Sequence, residues 1–204
     1  MSYTKFNVAF WHPFGPHGGE TPEEIIKRKQ KEIEFCGWTL WSFQYRKEEM
    51  LKKWKHELAV ANPNEVFVFC SEGRGASDPA SGGAQPIEFS RYRLIGEENA
   101  EWRSIPAIIR VPHPIRSGKI KPPSAFVVQR VVYPDELFQP PNVEWFSKDG
   151  TWCQTNVPTR GESLIRPGGT SAMRKIRLIL ELKPPYLAVL ATDEMARTSS
   201  LVPK

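Results

Sequence analysis

The apolar and polar positions of this chain change rhythm along its length. Val8, Ala9, Phe10 and Trp11 make an apolar segment that runs into the loop His12-Pro-Phe-Gly-Pro-His-Gly-Gly-Glu20. A helical rhythm follows. Thr21 suits an N-cap, Pro22 fits the first helical position, and Glu24 stands where a capping box needs its carboxylate. The helix is expected to run from Pro22 to about Cys36, with Ile26, Ile33 and Cys36 on one face and Gly37 as its stop. Beyond it the period drops to two: Trp38, Leu40 and Ser42 alternate with Thr39, Trp41 and Phe43, the pattern of a returning strand. With tryptophans on both faces of one short strand, one is expected to pack on the helix and the other to line something open. Met50, Leu51, Trp54 and Leu58 then mark a second amphipathic helix at about Lys47 to Ala61, ended by Asn62-Pro63-Asn64, with Trp54 in the core.

Strand signals dominate the rest. Glu65 to Cys70 is a continuous apolar run rich in β-formers, expected as a central strand, and the polar Ser71 to Gly83 segment reads as a mobile surface loop. From Ile87 onward strands are expected at Glu88 to Ile95, Ala107 to Val111, Ala125 to Tyr133, Val143 to Thr155, Ile176 to Leu182 and Tyr186 to Leu190. Lys148-Asp149-Gly150-Thr151 is a hairpin signal, and Pro184-Pro185 separates the last two strands. The architecture this predicts is α+β: a bent, mostly antiparallel β-barrel with helices confined to the N-terminal third. A single domain is expected over residues 1–190, and residues 191–204 read as a flexible, frayed tail.

Composition narrows the class. The chain has 204 residues, 40% hydrophobic and 25% charged, enough for one core. A formal charge of +5 favours an acidic partner such as RNA or DNA without demanding one. Cys36, Cys70 and Cys153 are odd in number and far apart, with no C-x-x-C pair, which argues for a reducing compartment and against a disulfide framework or structural zinc. No apolar run approaches a membrane span and no signal-peptide segment opens the chain, so the cytoplasm is the expected location.

The order of elements resembles the PUA-like superfamily that includes the EVE, ASCH and YTH modules. The resembling features are the opening strand ending in Trp11, the helix, the Trp38/Trp41 segment, the second helix, and the strand Val66-Phe-Val-Phe-Cys70. A polar loop and several strands follow, including Ala125-Phe-Val-Val-Gln-Arg-Val-Val132, so the likeness spans most of Val8 to Tyr133. It implies a bent barrel that recognises nucleic acid, in EVE and YTH members with a modified base held in an aromatic pocket.

Read from the residues themselves, the same function has a physical basis. Seven tryptophans, with Phe14, offer faces on which unpaired or flipped bases stack, and cations interleave with aromatics at Arg91-Tyr92-Arg93, at Trp102-Arg103 and around His113. Against this stands the plain role of tryptophan as a large core residue. His12, His17 and Glu20 could supply polar contacts to a ligand, acid–base chemistry, or a metal, although intervening prolines and glycines give them no regular ligand spacing. Arg166 to Lys175 gathers glycines, hydroxyls and cations without the P-loop spacing and reads first as a solvated connection. Glu181 and Lys183, with Asp135 as acidic partner, have the E-x-K spacing of metal nucleases in the wrong order of elements. No cysteine is placed as a nucleophile and no G-x-S-x-G occurs.

The sequence therefore points first to a nucleic-acid-binding module that recognises a modified or flipped base in an aromatic pocket. Its ligand-binding candidates are Trp11, His12, His17, Trp38, Trp41, Arg91 and Arg93, with no metal and no cofactor. Two alternatives stay open: an enzyme acting on a nucleotide or nucleic acid through the His12/His17/Glu20 loop, and a protein-interaction domain docking through exposed tryptophans.

Overall fold

A computed structural model describes residues 3, 5–43, 46–72, 86–97, 100–113, 122–136, 138–154, 161–170 and 172–200, the side chains of 199 and 200 excepted. Most of the expected polar loop after the central strand, and the basic stretch beyond His113, lie outside the described residues. The first half alternates strand and helix: β1 (Ala9–Phe14), α1 (Pro22–Cys36), β2 (Thr39–Phe43), α2 (Glu48–Ala61) and β3 (Phe67–Glu72). Short strands follow, β4 (Ile87–Glu88), β5 (Arg91–Leu94), β6 (Arg103–Ser104) and β7 (Pro112–His113), then β8 (Ser124–Val132), β9 (Val143–Phe146), β10 (Trp152–Cys153), β11 (Ser163–Pro167), β12 (Ile176–Ala191) and α3 (Asp193–Ser200).

These elements do not build the bent antiparallel barrel expected from the sequence. They build a mixed α/β structure around a ten-stranded sheet with open ends, ordered β10-β9-β11-β1-β3-β12-β5-β6, with β8 on β12 and β2 on β8, beside a separate β4-β7 pair. At its centre β1 and β3 run parallel, with Phe10 opposite Val68 and His12 opposite Cys70. A parallel neighbour needs a long crossover, and the α1-β2-α2 segment supplies it. Closure fails at β12. Its first half bonds to β3 and its second to β5, and the ladder to β8 shifts register between Leu182 and Leu187, where Pro184 and Pro185 have no N–H to contribute. Within the stretch expected as a frayed tail, α3 is the third helix: Thr192 Oγ1 accepts from Met195 N at 3.2 Å and Ala196 is buried. The strand expected at Ala107 to Val111 is a turn and coil that leads into β7. No helix among the described residues is long and apolar enough to cross a membrane.

Alternation along β1 and β3 sends side chains into two cores. Phe10, Phe14, Val68 and Cys70 pack with Trp54, Leu51, Trp41 and Phe126 on the side covered by the helices. Ala9, Trp11, Phe67 and Phe69 pack with Ile165 and Ile179 on the other. A third cluster joins Leu40, Phe89, Val111, Ala125 and Leu190, with Trp38 and Tyr92 at its margin.

The capping box of α1 forms as the sequence requires, and Gly37 closes the helix at φ 74°. Ile26 is buried as expected, with Ile33 and Cys36 partly buried against the cores, but the inward face also carries charge. Ile25 and Ile26 are joined there by Lys29 and Glu32. Lys29 Nζ donates to Glu32 Oε2 at 2.7 Å, to Thr39 Oγ1 at 3.2 Å and to the Arg110 carbonyl at 2.8 Å, while Arg110 N donates to Glu32 Oε1 at 3.0 Å. Burial lowers the Lys29 ammonium to a pKa of about 8 against the opposing pull of Glu32. These bonds tie α1 to β2 and to the segment that ends in His113.

Candidate functional site

The site grows from the end of β1. Trp11 points away from the helices, buried, with Nε1 donating to Ser71 Oγ at 3.0 Å. His12 points the other way, its ring 6.2 Å from that of Phe126. Its Nδ1 lies 3.2 Å from Glu162 Oε1, just before β11, and Arg46 Nη2 donates to Glu162 Oε2 at 3.1 Å. Gly161, at φ 79°, holds a conformation that disfavours side chains and leaves the room that the Arg46 guanidinium occupies. Burial pushes the Glu162 carboxyl up, but the bond and charge of His12, with the charge of Arg46, outweigh it and hold the group below its usual value. A carboxylate fixed in this way orients the imidazole it faces.

The loop then turns back on itself. His17 N donates to the Glu20 carbonyl at 3.0 Å and Glu20 N to the His17 carbonyl at 3.1 Å, across Gly18 and Gly19 at φ 63° and 86°. Two positive φ values in a two-residue turn are the reason for the glycine pair. A Cβ on Gly18 would stand 3.2 Å from Pro112, so the turn rests against β7. This brings the His17 ring to 5.1 Å from that of His113. Glu20 itself turns away, both of its oxygens taken by Arg28 at 2.7 and 2.5 Å. Burial, then the neighbouring His113 and His12, lower the His17 imidazole to a pKa of about 4, against the pull of Glu20. Burial likewise lowers His113, opposed by Glu162.

Of the four histidines in the chain, His17 and His113 stand ring beside ring and His12 acts on His17 through its charge, while the Phe14 and Trp41 rings lie 5.3 Å apart in the core under the helices. The other candidates lie elsewhere. Trp38 is half-buried 5.5 Å from Tyr92. Arg93 pairs with Glu48 at 3.1 Å and lies over Trp102, and Arg91 is held by Asp193 at 2.6 Å and Ser104 at 2.7 Å. Trp11, Trp38 and Trp41 therefore belong to three separate clusters and do not face a common space.

A groove of about 460 Å³ lies between α2 and the β9–β10 turn, lined by Lys52, Lys53, His56 and Phe146 among others, and a cavity of about 80 Å³ lies beside Pro184; neither includes an indole. Glu181 accepts from Arg130 Nε at 2.7 Å and from Tyr3 Oη at 2.9 Å, so the E-x-K carboxylate is engaged in the sheet. Arg166 is engaged by Glu144 at 2.6 Å. No group of three or more His, Cys, Asp or Glu among the described residues is placed to hold a metal ion.

Glu162, Arg46 and Phe126 escaped the sequence reading because each lies far along the chain from the HPFGPHGGE loop. His113 carried a weak signal, as one of only four histidines in an unusually basic stretch. Compared with protein-family models, with curated proteins and with solved structures, the chain matches none.

Proposed function

We propose that the chain is a nucleic-acid-binding module that holds a base of RNA or DNA at the end of β1. The observation that carries this is the pairing of the His17 and His113 rings just after β1, whose own His12 is held by the Arg46–Glu162 pair. Imidazoles hydrogen-bond the edge of a base drawn out of its stack, and the net charge of +5 favours a polyanion. Three free cysteines suit a reducing compartment, and the proposed location is the cytoplasm.

The test is titration with single- and double-stranded RNA and DNA oligonucleotides at low salt. Native protein should bind at least one class, and His12→Gln, with its fold verified by circular dichroism, should bind about tenfold or more weakly, a loss of about 1.4 kcal/mol. Absence of binding to all four, or native affinity in the folded variant, would remove the proposal.

One observation favours a second reading, an enzyme acting on nucleotides or nucleic acid. His12 is backed by a buried carboxylate that Arg46 anchors in turn, the arrangement in which a third group orients a general base. Glu162 thereby replaces Glu20 as the acidic partner. Altered mass of a bound oligonucleotide after incubation, absent with His12→Gln, would favour catalysis over binding alone. No tryptophan is among the exposed large hydrophobic residues, so docking through exposed indoles has no observation in its favour.

A further inference from the structure

We infer that the His17–His113 pair reads the ligand, and that it takes the hydrogen-bonding edge of a neutral heterocycle, a nucleobase, rather than a phosphate. This rests on the nucleic-acid proposal and assigns the contact that discriminates. His17 Nε2 and His113 Nδ1 are both buried and neither has a hydrogen-bond partner, each other included. Trp54 Nε1 and Ser124 Oγ share that condition among the described residues, but the two imidazoles are neighbours, their tilted rings centred 5.1 Å apart. A buried polar atom without a partner carries its desolvation penalty until something supplies the missing bond, so a ligand that satisfies two such atoms at once gains from both.

The chemistry of that ligand follows from charge. His12 of β1, Glu20, Arg28 of α1 and His113 of β7 act on His17, and Glu162 acts on His113. The cations among them are engaged: Arg28 is held by Glu20 and Glu32, and Arg46, behind His12, by Glu162. Burial disfavours the charged form of both imidazoles, so near neutral pH each presents one donor and one acceptor. The edge of a base sets a donor beside an acceptor and complements such a pair. A phosphate offers only acceptors and brings negative charge to a place where, among the described residues that act on the pair, each arginine is already engaged, so it is a poor match. The turn at Gly18 and Gly19 fixes the spacing, since it sets His17 against β7.

The experiment observes the imidazole nitrogens of the full native chain by NMR while adenosine, guanosine, cytidine, uridine and inorganic phosphate are added separately near neutral pH. At least one nucleoside is expected to shift the His17 and His113 resonances together, with phosphate shifting neither. His17→Phe and His113→Phe keep a ring in place and should each weaken that nucleoside about tenfold or more. Acidification toward the His17 transition should weaken it in the native chain. Shifts produced by phosphate, or imidazoles unmoved by every nucleoside, would overturn the inference, as would folded Phe variants that bind like native protein. Oligonucleotide binding that leaves both imidazoles unmoved would sink this inference and spare the nucleic-acid proposal. Failure of oligonucleotides and nucleosides alike would sink both.

Discussion

His17 is the residue whose environment departs furthest from its appearance in the sequence. As a loop histidine between prolines and glycines it reads as exposed, yet the turn presses it against His113 and its pKa falls from 6.5 to about 4. The sign follows from proton binding. The unfolded chain takes up the proton first, so the contribution of this group is fully present above about 6.5 and is lost as pH falls from there through about 4. The span is worth up to roughly 3 kcal/mol at 1.36 kcal/mol per pH unit. Denaturant unfolding over that range should show native protein gain stability relative to His17→Phe as pH rises from about 4 to about 6.5. Parallel curves would mean that His17 is not held neutral. Lys29 and Glu32 show a related effect, being residues whose charge suits solvent and that the structure buries as a bonded pair.

Among the elements, β2 decides how the tryptophans divide. Its alternation suggested a buried face and an open one, but Leu40, Trp41 and Phe43 are all buried. Helix α1 and the sheet account for this: β2 pairs with β8, placing Trp41 opposite Phe126, and Phe14 covers its ring from β1. Trp41 is thus a core residue packed against Phe14. Trp41→Ala should cost roughly 3 to 5 kcal/mol of folding stability, the range for deleting a buried aromatic. Trp54→Ala should behave alike, because Trp54 is buried against Phe10 in the same cluster. Chemical denaturation of the two variants checks this. A Trp41→Ala protein of native stability would show that the ring has an open face after all.

For the whole molecule, charge is more subdued than +5 suggests. Arg28, Arg46, Arg91, Arg93, Arg103, Arg110, Arg130, Arg166 and Arg177 each lie within ion-pair distance of a carboxylate. Among the described residues, few arginines are therefore placed to track a phosphate backbone. If binding rests on a base contact with a modest electrostatic share, log affinity against log salt should fall with a slope of about −2, as for roughly three phosphates of a single strand at about 0.7 each. A slope several times steeper, measured by titration at stepped salt concentrations, would move the interface from the histidine site to an extended basic surface.

The sequence by itself determined what short-range chemistry controls. The capping box at Thr21 and Glu24, the stop at Gly37, the second helix with Trp54 inward and the turn at Gly150 all follow from neighbouring residues, and all are present. An apolar run rich in β-formers also placed β3, and the strand pattern placed β8, within a residue or two. Tertiary structure decided the rest. Strand pairing is a choice between partners far apart in sequence, so neither the parallel contact of β1 with β3 nor the split of β12 between β3 and β5 could be read from period alone. The candidate site follows the same rule. His12 and His17 announced themselves in the loop, but the carboxylate beside His12 comes from residue 162 and the ring facing His17 from residue 113, because the sheet order lays β11 against β1 and the Gly18 turn rests on β7.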